Sequence, residues 1–229
     1  MRALLLETAT EICSVALAQD RKIISERIAD GPHQHASKLN VFIDDLLRAN
    51  HWEAAALTHL GLSEGPGSYT SLRVGAALAK GLCLALPQLS LYPLSSLQAL
   101  GLQAFQRGAK AVIATQESRR NEVYALLLDG PDQSSTAAKA LAVDDPVFTD
   151  FCTRHPELTI VGSGTEKLAA AIGRPTDRLL PELQNQAAYL LPQLQAVIAA
   201  DLAPANLATF EPLYLKPPFV TVPKKRSLL

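Results

Sequence analysis

Cysteine is scarce in this chain. Cys13, Cys83 and Cys152 are its only three, far apart and odd in number, and no Cys-x-x-Cys pair occurs. That excludes a disulfide scaffold and a thiolate zinc site, and predicts buried thiols in a reducing compartment, the cytoplasm. An excess of charge of either sign is missing too. Lys+Arg number 21 against Asp+Glu 22, a net charge of −1, so there is no overall attraction to nucleic acid or to an anionic membrane. Long apolar runs are absent as well. None approaches the ~20 residues of a membrane helix. The first, Ala3 to Leu6, is cut off by Glu7 and falls short of the roughly 7–15 residues of a signal-peptide core. No membrane association is expected. What is abundant is apolar side chain, 48 % of 229 residues with only 19 % charged. That is enough for a sizeable core in one or two domains.

The apolar residues are ordered. "ALLLETATEICSVALAQDRKIISERI" reads as three antiparallel strands, with a polar corner at Thr8–Glu11 and a turn at "QDR". In "HASKLNVFIDDLLRAN", Leu39, Phe42, Ile43, Leu46 and Leu47 recur at helical spacing, which predicts an amphipathic helix over about 35–50. A short strand, "LTHLGLSEG", then enters a glycine turn and a second helix over 70–86. "SLYPLSSLQALGLQAF" reads as a strand end and a third helix. At "KAVIATQESRRNEVYALLLDG" the opening strand–corner–strand pattern returns with a slightly longer corner, as in an internal duplication. Residues 130 to 146, rich in Gly, Pro, Ser and Asp, read as a surface loop. "LTIVGSGTEKLAAAI" is strand, turn and helix, and "NQAAYLLPQLQAVIAA" a helix despite Pro192. The tail, with Pro212, Pro217, Pro218 and Pro223, is extended.

Strand, glycine turn, helix is also how phosphate loops are built, but "SEGPGSYTSLRVGAALAKGL" (63–82) matches neither standard form. A Walker loop requires G-x-x-x-x-G-K-S/T. Six residues after Gly65 stands Ser71, and no Lys–Ser/Thr pair follows. The dinucleotide pattern G-x-G-x-x-G starts at Gly65 and Gly67 but meets Thr70 at its last glycine, and Pro66 removes one N–H from the cradle. A tight turn in which Ser68 or Thr70 caps the following helix fits better. That helix carries Gly75, Ala76, Ala77, Ala79, Gly81 and Ala85, small residues suited to close helix packing, within the domain or against a partner.

No other cluster amounts to a catalytic set. His33 and His35 sit two apart, whereas ligands on one helix face sit three or four apart, and His51, His59 and His155 extend no motif. They read as solvated or capping histidines. Ser68 and Ser163 lack the G-x-S-x-G elbow. Glu7 and Glu11 lie in the first corner, where a carboxylate holds a metal or is simply solvated. Lys224, Lys225 and Arg226, with no acid after Glu211, are the candidate RNA-phosphate contacts.

Taken together, "LLLETATEICSVAL", "GPGSYTSLRVGAALAKGL", "LSSLQAL", "ESRRNEVYALLLD", "VGSGTEKL" and "PLYLK" resemble the TsaB (YeaZ) proteins nearly end to end. The resemblance implies an α/β chain of two RNase H-like domains of the actin/sugar-kinase/Hsp70 ATPase fold, mixed sheets flanked by helices. The first would be 1–103 plus about 206–229, the second, smaller one 104–205. It further implies a non-catalytic subunit paired with a catalytic paralogue, TsaD, which transfers a threonylcarbamoyl group to the adenosine beside the tRNA anticodon. A TsaE-type ATPase would dock on the pair, and tRNA would be met through the complex. No cofactor is expected in this subunit, ATP and metal being held by partner subunits.

Pairing in that family is understood to use the first two helices. The contacts it implies here are Leu39, Phe42, Ile43 and Leu46 on the first and Tyr69, Leu72, Arg73, Ala76, Ala79, Lys80 and Cys83 on the second. On this basis Ala76→Arg or Ala79→Glu is expected to abolish pairing and leave the fold intact. With the partner absent, a homodimer through the same helices is the expectation, since exposed apolar faces find partners. Two departures from the family pattern stand out: Glu7 replaces the commoner Asp, and Ser71 stands where Gly is usual. The competing reading is a stand-alone peptidase or ATPase of the glycopeptidase-like superfamily, for which turnover lost in Glu7→Ala would speak.

Overall fold

The structure, a computed structural model, describes residues 1–131, 133–134, 137–173 and 178–217. Its first half opens with β1 (Arg2–Glu7), β2 (Ser14–Gln19) and β3 (Lys22–Ile28), antiparallel and in sequence order. Then come α1 (His35–Ala49), β4 (His59–Gly65), α2 (Tyr69–Ala85), β5 (Ser90–Ser95) and α3 (Ser96–Gln106). β4 lies parallel to β1, and β5 parallel to β4, giving the order β3-β2-β1-β4-β5. β1 is an unbroken apolar run because both faces of a central strand are covered. Leu4 and Leu6 meet the α1/α2 side, while Ala3 and Leu5 meet the opposite face.

The second half repeats the plan. β6 (Val112–Glu117) runs antiparallel to β7 (Glu122–Gly130) and parallel to β10 (Thr159–Val161), which is parallel to β11 (Leu179–Leu180). The order is β11-β10-β6-β7-β8, with β8 (Gln133–Ser134) and β9 (Lys139–Ala142) both on β7. α4 (Pro146–Arg154) and α5 (Thr165–Ile172) cover one face. Each half therefore has a hairpin-linked strand on one side of its opening strand and two parallel strands on the other. These are two RNase H-like domains, and the repeat read in the sequence is a structural one. The second corner is the shorter, 118–121 against 8–13, contrary to expectation. The supposed loop 130–146 contains β8, β9 and the turn into α4, because strands of two and four residues are too short to show an alternation.

The C-terminal part of the expected second domain, 104–205, packs on the first sheet. A 3-10 turn (Ala187–Leu190) leads into α6 (Leu191–Ala199), with Pro192 harmlessly in the first turn. Ala187, Leu190, Leu191 and Leu194 pack on Ala3, Leu5, Ala16 and Ala18. This segment belongs to the first sheet, whose second face it takes out of water. α3 is shared. Ala99 joins that same cluster, while Leu97, Leu100 and Ala104 pack on Val112, Ala114, Leu126 and Leu128 of the second sheet.

Candidate functional site

The turn before α2 is clamped onto the first corner. The Ser68 N–H donates to the Ala9 carbonyl (2.8 Å). Ser68 is the N-cap, its Oγ accepting from the Ser71 N–H (3.4 Å) and from Ser71 Oγ (3.0 Å). A Cβ at residue 67 would lie 2.1 Å from the Ala9 carbonyl oxygen, so glycine serves a backbone-to-backbone approach there. Along α2, a Cβ at Gly75 would meet Thr8 Oγ1 at 2.3 Å. The slim face of α2 is thus used inside the domain, on the corner and sheet.

That decides the fate of the expected contacts. Leu39, Phe42, Ile43, Leu46, Ala76, Ala79 and Cys83 are buried in one core cluster with residues such as Leu4, Leu6 and Leu62, and Leu72 is buried as well. The seven clustered side chains turn toward the sheet, since a helix on a sheet spends its main apolar stripe there. Tyr69, Arg73 and Lys80 remain accessible. Tyr69 lies between the Arg73 guanidinium (4.4 Å) and the Tyr214 ring (4.6 Å), and the Lys80 ammonium sits 5.8 Å from the Phe210 ring centre. The outward line of α2 is Arg73, Ala77, Lys80, Gly81 and Leu84, with Leu84 73 % exposed; on α1, Val41 is 50 % exposed. Leu84 and Val41 were missed, although 73, 77, 80, 81 and 84 share one helical face by spacing alone.

Between the two halves runs a cleft of about 720 Å³, lined by the first corner (Ala9 to Ile12), Ser68, Tyr69, Gln116 to Arg119, Ser163, Gln184 to Gln186 and Tyr214 to Pro217. Its walls combine amides and hydroxyls with apolar groups, among them Ile12, Ile28, Leu215 and the rings of Tyr69, Tyr124 and Tyr214. Glu11 and Glu117 offset Arg119 and Lys216, leaving no net charge. Lys224, Lys225 and Arg226 lie outside the described residues. Among the described residues no three His, Cys, Asp or Glu side chains are grouped to hold a metal ion, and no helix is long and apolar enough to cross a membrane.

Glu7 is not the solvated corner carboxylate the sequence suggested; it is completely buried. Its Oε1 accepts from the Ala9 N–H (2.8 Å) and Ser96 Oγ (3.3 Å), and Oε2 has no partner. Burial pushes its pKa up, against the hydrogen bonds that lower it. His35, read as solvated or capping, is also buried, and burial lowers its pKa.

Between the ordinary carboxylate pKa and the raised one, the folded state binds more of the Glu7 proton than the unfolded chain does. Stability is lost as pH rises through that window. Glu7→Gln should remove the loss, so that the variant gains on the parent as pH rises from about 5 to about 8. Urea melts of both proteins at the two pH values check this, and a difference that stays constant with pH would refute it. The His35 contribution runs the other way, stability being lost as pH falls, and it cancels in the comparison.

The family model described as "TsaD: tRNA N6-adenosine threonylcarbamoyltransferase" matches residues 23–146, more than half of the chain. The "tRNA threonylcarbamoyladenosine biosynthesis protein TsaB" of Escherichia coli is 33 % identical over 125 residues, 54 % of this chain and 53 % of that protein. The Haemophilus influenzae protein of the same name is 36 % identical over 123 residues, 53 % and 51 % of the two chains. The chain belongs to the TsaB/YeaZ family. Its match spans about half the length of these curated relatives. A solved structure of an uncharacterized Pseudomonas aeruginosa protein with similarity to peptidase YEAZ superposes with a TM-score of 0.83, at 24 % identity, over 94 % of this chain and 99 % of that one. At that identity the likeness speaks for the fold, and it covers both halves.

Proposed function

We propose that this chain is a TsaB-type, non-catalytic subunit in threonylcarbamoyladenosine synthesis. It pairs through α1 and α2 with a TsaD-type transferase that modifies the adenosine beside the tRNA anticodon. The observation that carries the reading is the outer line of α2: Ala77, Gly81 and the 73 %-exposed Leu84, with Arg73 and Lys80 at its edges and Val41 exposed on neighbouring α1. Small residues let a second helix come close, and an exposed leucine among them gains from being covered. The buried Glu7, the residue proposed to betray an ATPase, has no open path to substrate, which supports a subunit without chemistry of its own. ATP and metal then belong to partner subunits, a TsaE-type ATPase docks on the pair, and the assembly works in the cytoplasm. Without its partner the chain pairs with a second copy through the same helices.

The test is co-expression with the organism's own TsaD homologue. Leu84→Glu and Ala77→Arg should each weaken pairing about 30-fold or more, with thermal midpoints like the parent's. Variants that still co-purify and still support tRNA modification would remove the helices from the interface.

A further inference from the structure

Two separate ties cross from one half of the molecule to the other. The first is a buried polar chain under the cleft floor. Glu7 Oε1, at the end of β1, accepts from Ser96 Oγ (3.3 Å); the Ser96 carbonyl accepts from Asn185 Nδ2 (3.1 Å); and Asn185 Oδ1 accepts from Gln116 Nε2 (2.8 Å), at the end of β6. All four residues are at most 4 % exposed. Breaking any link would leave more buried polar groups without a partner, so this chain ties the ends of the central strands of the two sheets together.

The second tie is at the rim. Residues 205–217 strap across the first half. The Ala205 N–H donates to the Leu91 carbonyl (2.8 Å), Phe210 is buried in the α1/α2 core, the Leu213 N–H donates to the Glu64 carbonyl (2.7 Å), and the Tyr214 ring meets the Tyr69 ring at a tilt of 41°. Two residues later the strap leaves that half, and Lys216 Nζ bonds the Glu122 carboxylate on β7 of the second. Tyr214 to Pro217 line the cleft that this pair closes.

We propose that the two halves form a clamp that hinges on the Glu7–Ser96–Asn185–Gln116 chain and is held closed over the cleft by the Lys216–Glu122 pair. The pair is partly exposed, with side chains 16 % and 35 % accessible, so it opens at modest cost, whereas the buried chain does not. Tyr214 also places the latch beside the first turn of α2, so loosening its contact with Tyr69 loosens the clamp.

Pulsed spin-label distances between unnatural residues at positions 45 and 150, exposed sites on α1 and α4, read the clamp directly in the full chain. Lys216→Met should lengthen the mean distance by more than about 2 Å and broaden the distribution, and Tyr214→Ala should do likewise. The swap Lys216→Glu with Glu122→Lys should restore the parent distribution. Lys110→Met, which breaks the exposed Lys110–Glu157 pair (2.6 Å) within the second half, should leave it unchanged. Gln116→Met added to Lys216→Met should shift the mean again. A parent-like distribution in Lys216→Met, or a charge swap no closer to the parent than its single variants, would overturn the latch. No further shift from Gln116→Met would overturn the hinge.

Discussion

Ala79→Glu should yield little folded protein, whereas Leu84→Glu should fold like the parent. The two positions are five residues apart on α2 and face opposite ways. Ala79 has no accessible surface and sits among Leu4, Phe42, Leu62 and Cys83. A glutamate there either carries an unpaired charge into the core or forces α2 off the sheet, at a cost of about 5 kcal/mol or more. That is comparable with the ~5–15 kcal/mol total stability of an ordinary domain. Ala76→Arg meets the same fate on a slightly more open site, 7 % exposed. Loss of partner binding in either variant would therefore say nothing about an interface, which is why the outward Ala77 and Leu84 replace them as probes. Soluble yield and a urea melt decide the matter. An Ala79→Glu midpoint within about 1 kcal/mol of the parent would mean that α2 turns another face to the sheet.

The contrast between these residues marks where the sequence stops being informative. Helical spacing of Leu39, Phe42, Ile43, Leu46 and Leu47 reveals that α1 has one apolar side, and the helix forms where expected, at His35–Ala49. Spacing does not say whether that side meets the chain's own sheet or another molecule. On a helix laid over a sheet the larger stripe is always the inner one, and a partner is left with a thinner face such as Ala77, Gly81 and Leu84. Glu7 illustrates a second blind spot. "ETATE" looks like a hydrated corner, but Ser63 and Ser96, 56 and 89 residues further on, close over it: Ser63 Oγ accepts from the Thr8 N–H (2.8 Å), and Ser96 Oγ donates to Glu7. Gln116 and Asn185, 69 residues apart, carry no local signal at all. The opening hairpin of each half was legible because its pattern is contained in some twenty residues. The parts that join the halves were not, because each contact is made once, across a long separation, by residue types common on any surface.

The same economy of local signal hides the costliest glycine in the second half. Gly162 follows β10 with φ +98°, and an added Cβ would lie 2.0 Å from the Thr115 carbonyl oxygen and 3.0 Å from Leu100 Cδ1. Thr115 cannot give way easily: it lies in central strand β6, and its Oγ1 donates to the Val161 carbonyl (2.9 Å). Gly162→Ala should therefore combine backbone strain with a backbone overlap, about 3–5 kcal/mol in all, and lower Tm by ~10 °C. Gly108 supplies the control. Its φ is +91°, and nothing lies within 4 Å of its virtual Cβ, so Gly108→Ala carries the strain without the overlap and should cost about 1–2 kcal/mol. Gly67 supplies the converse, since its virtual Cβ lies 2.1 Å from the Ala9 carbonyl oxygen in the first half, where the helix-bearing turn likewise presses on the opening strand's corner. Gly67→Ala should resemble Gly162→Ala more than Gly108→Ala in calorimetry. Equal melting points for Gly162→Ala and Gly108→Ala would mean that the two turns do not bear on the opening strands, and that the repeated architecture is held by its cores alone.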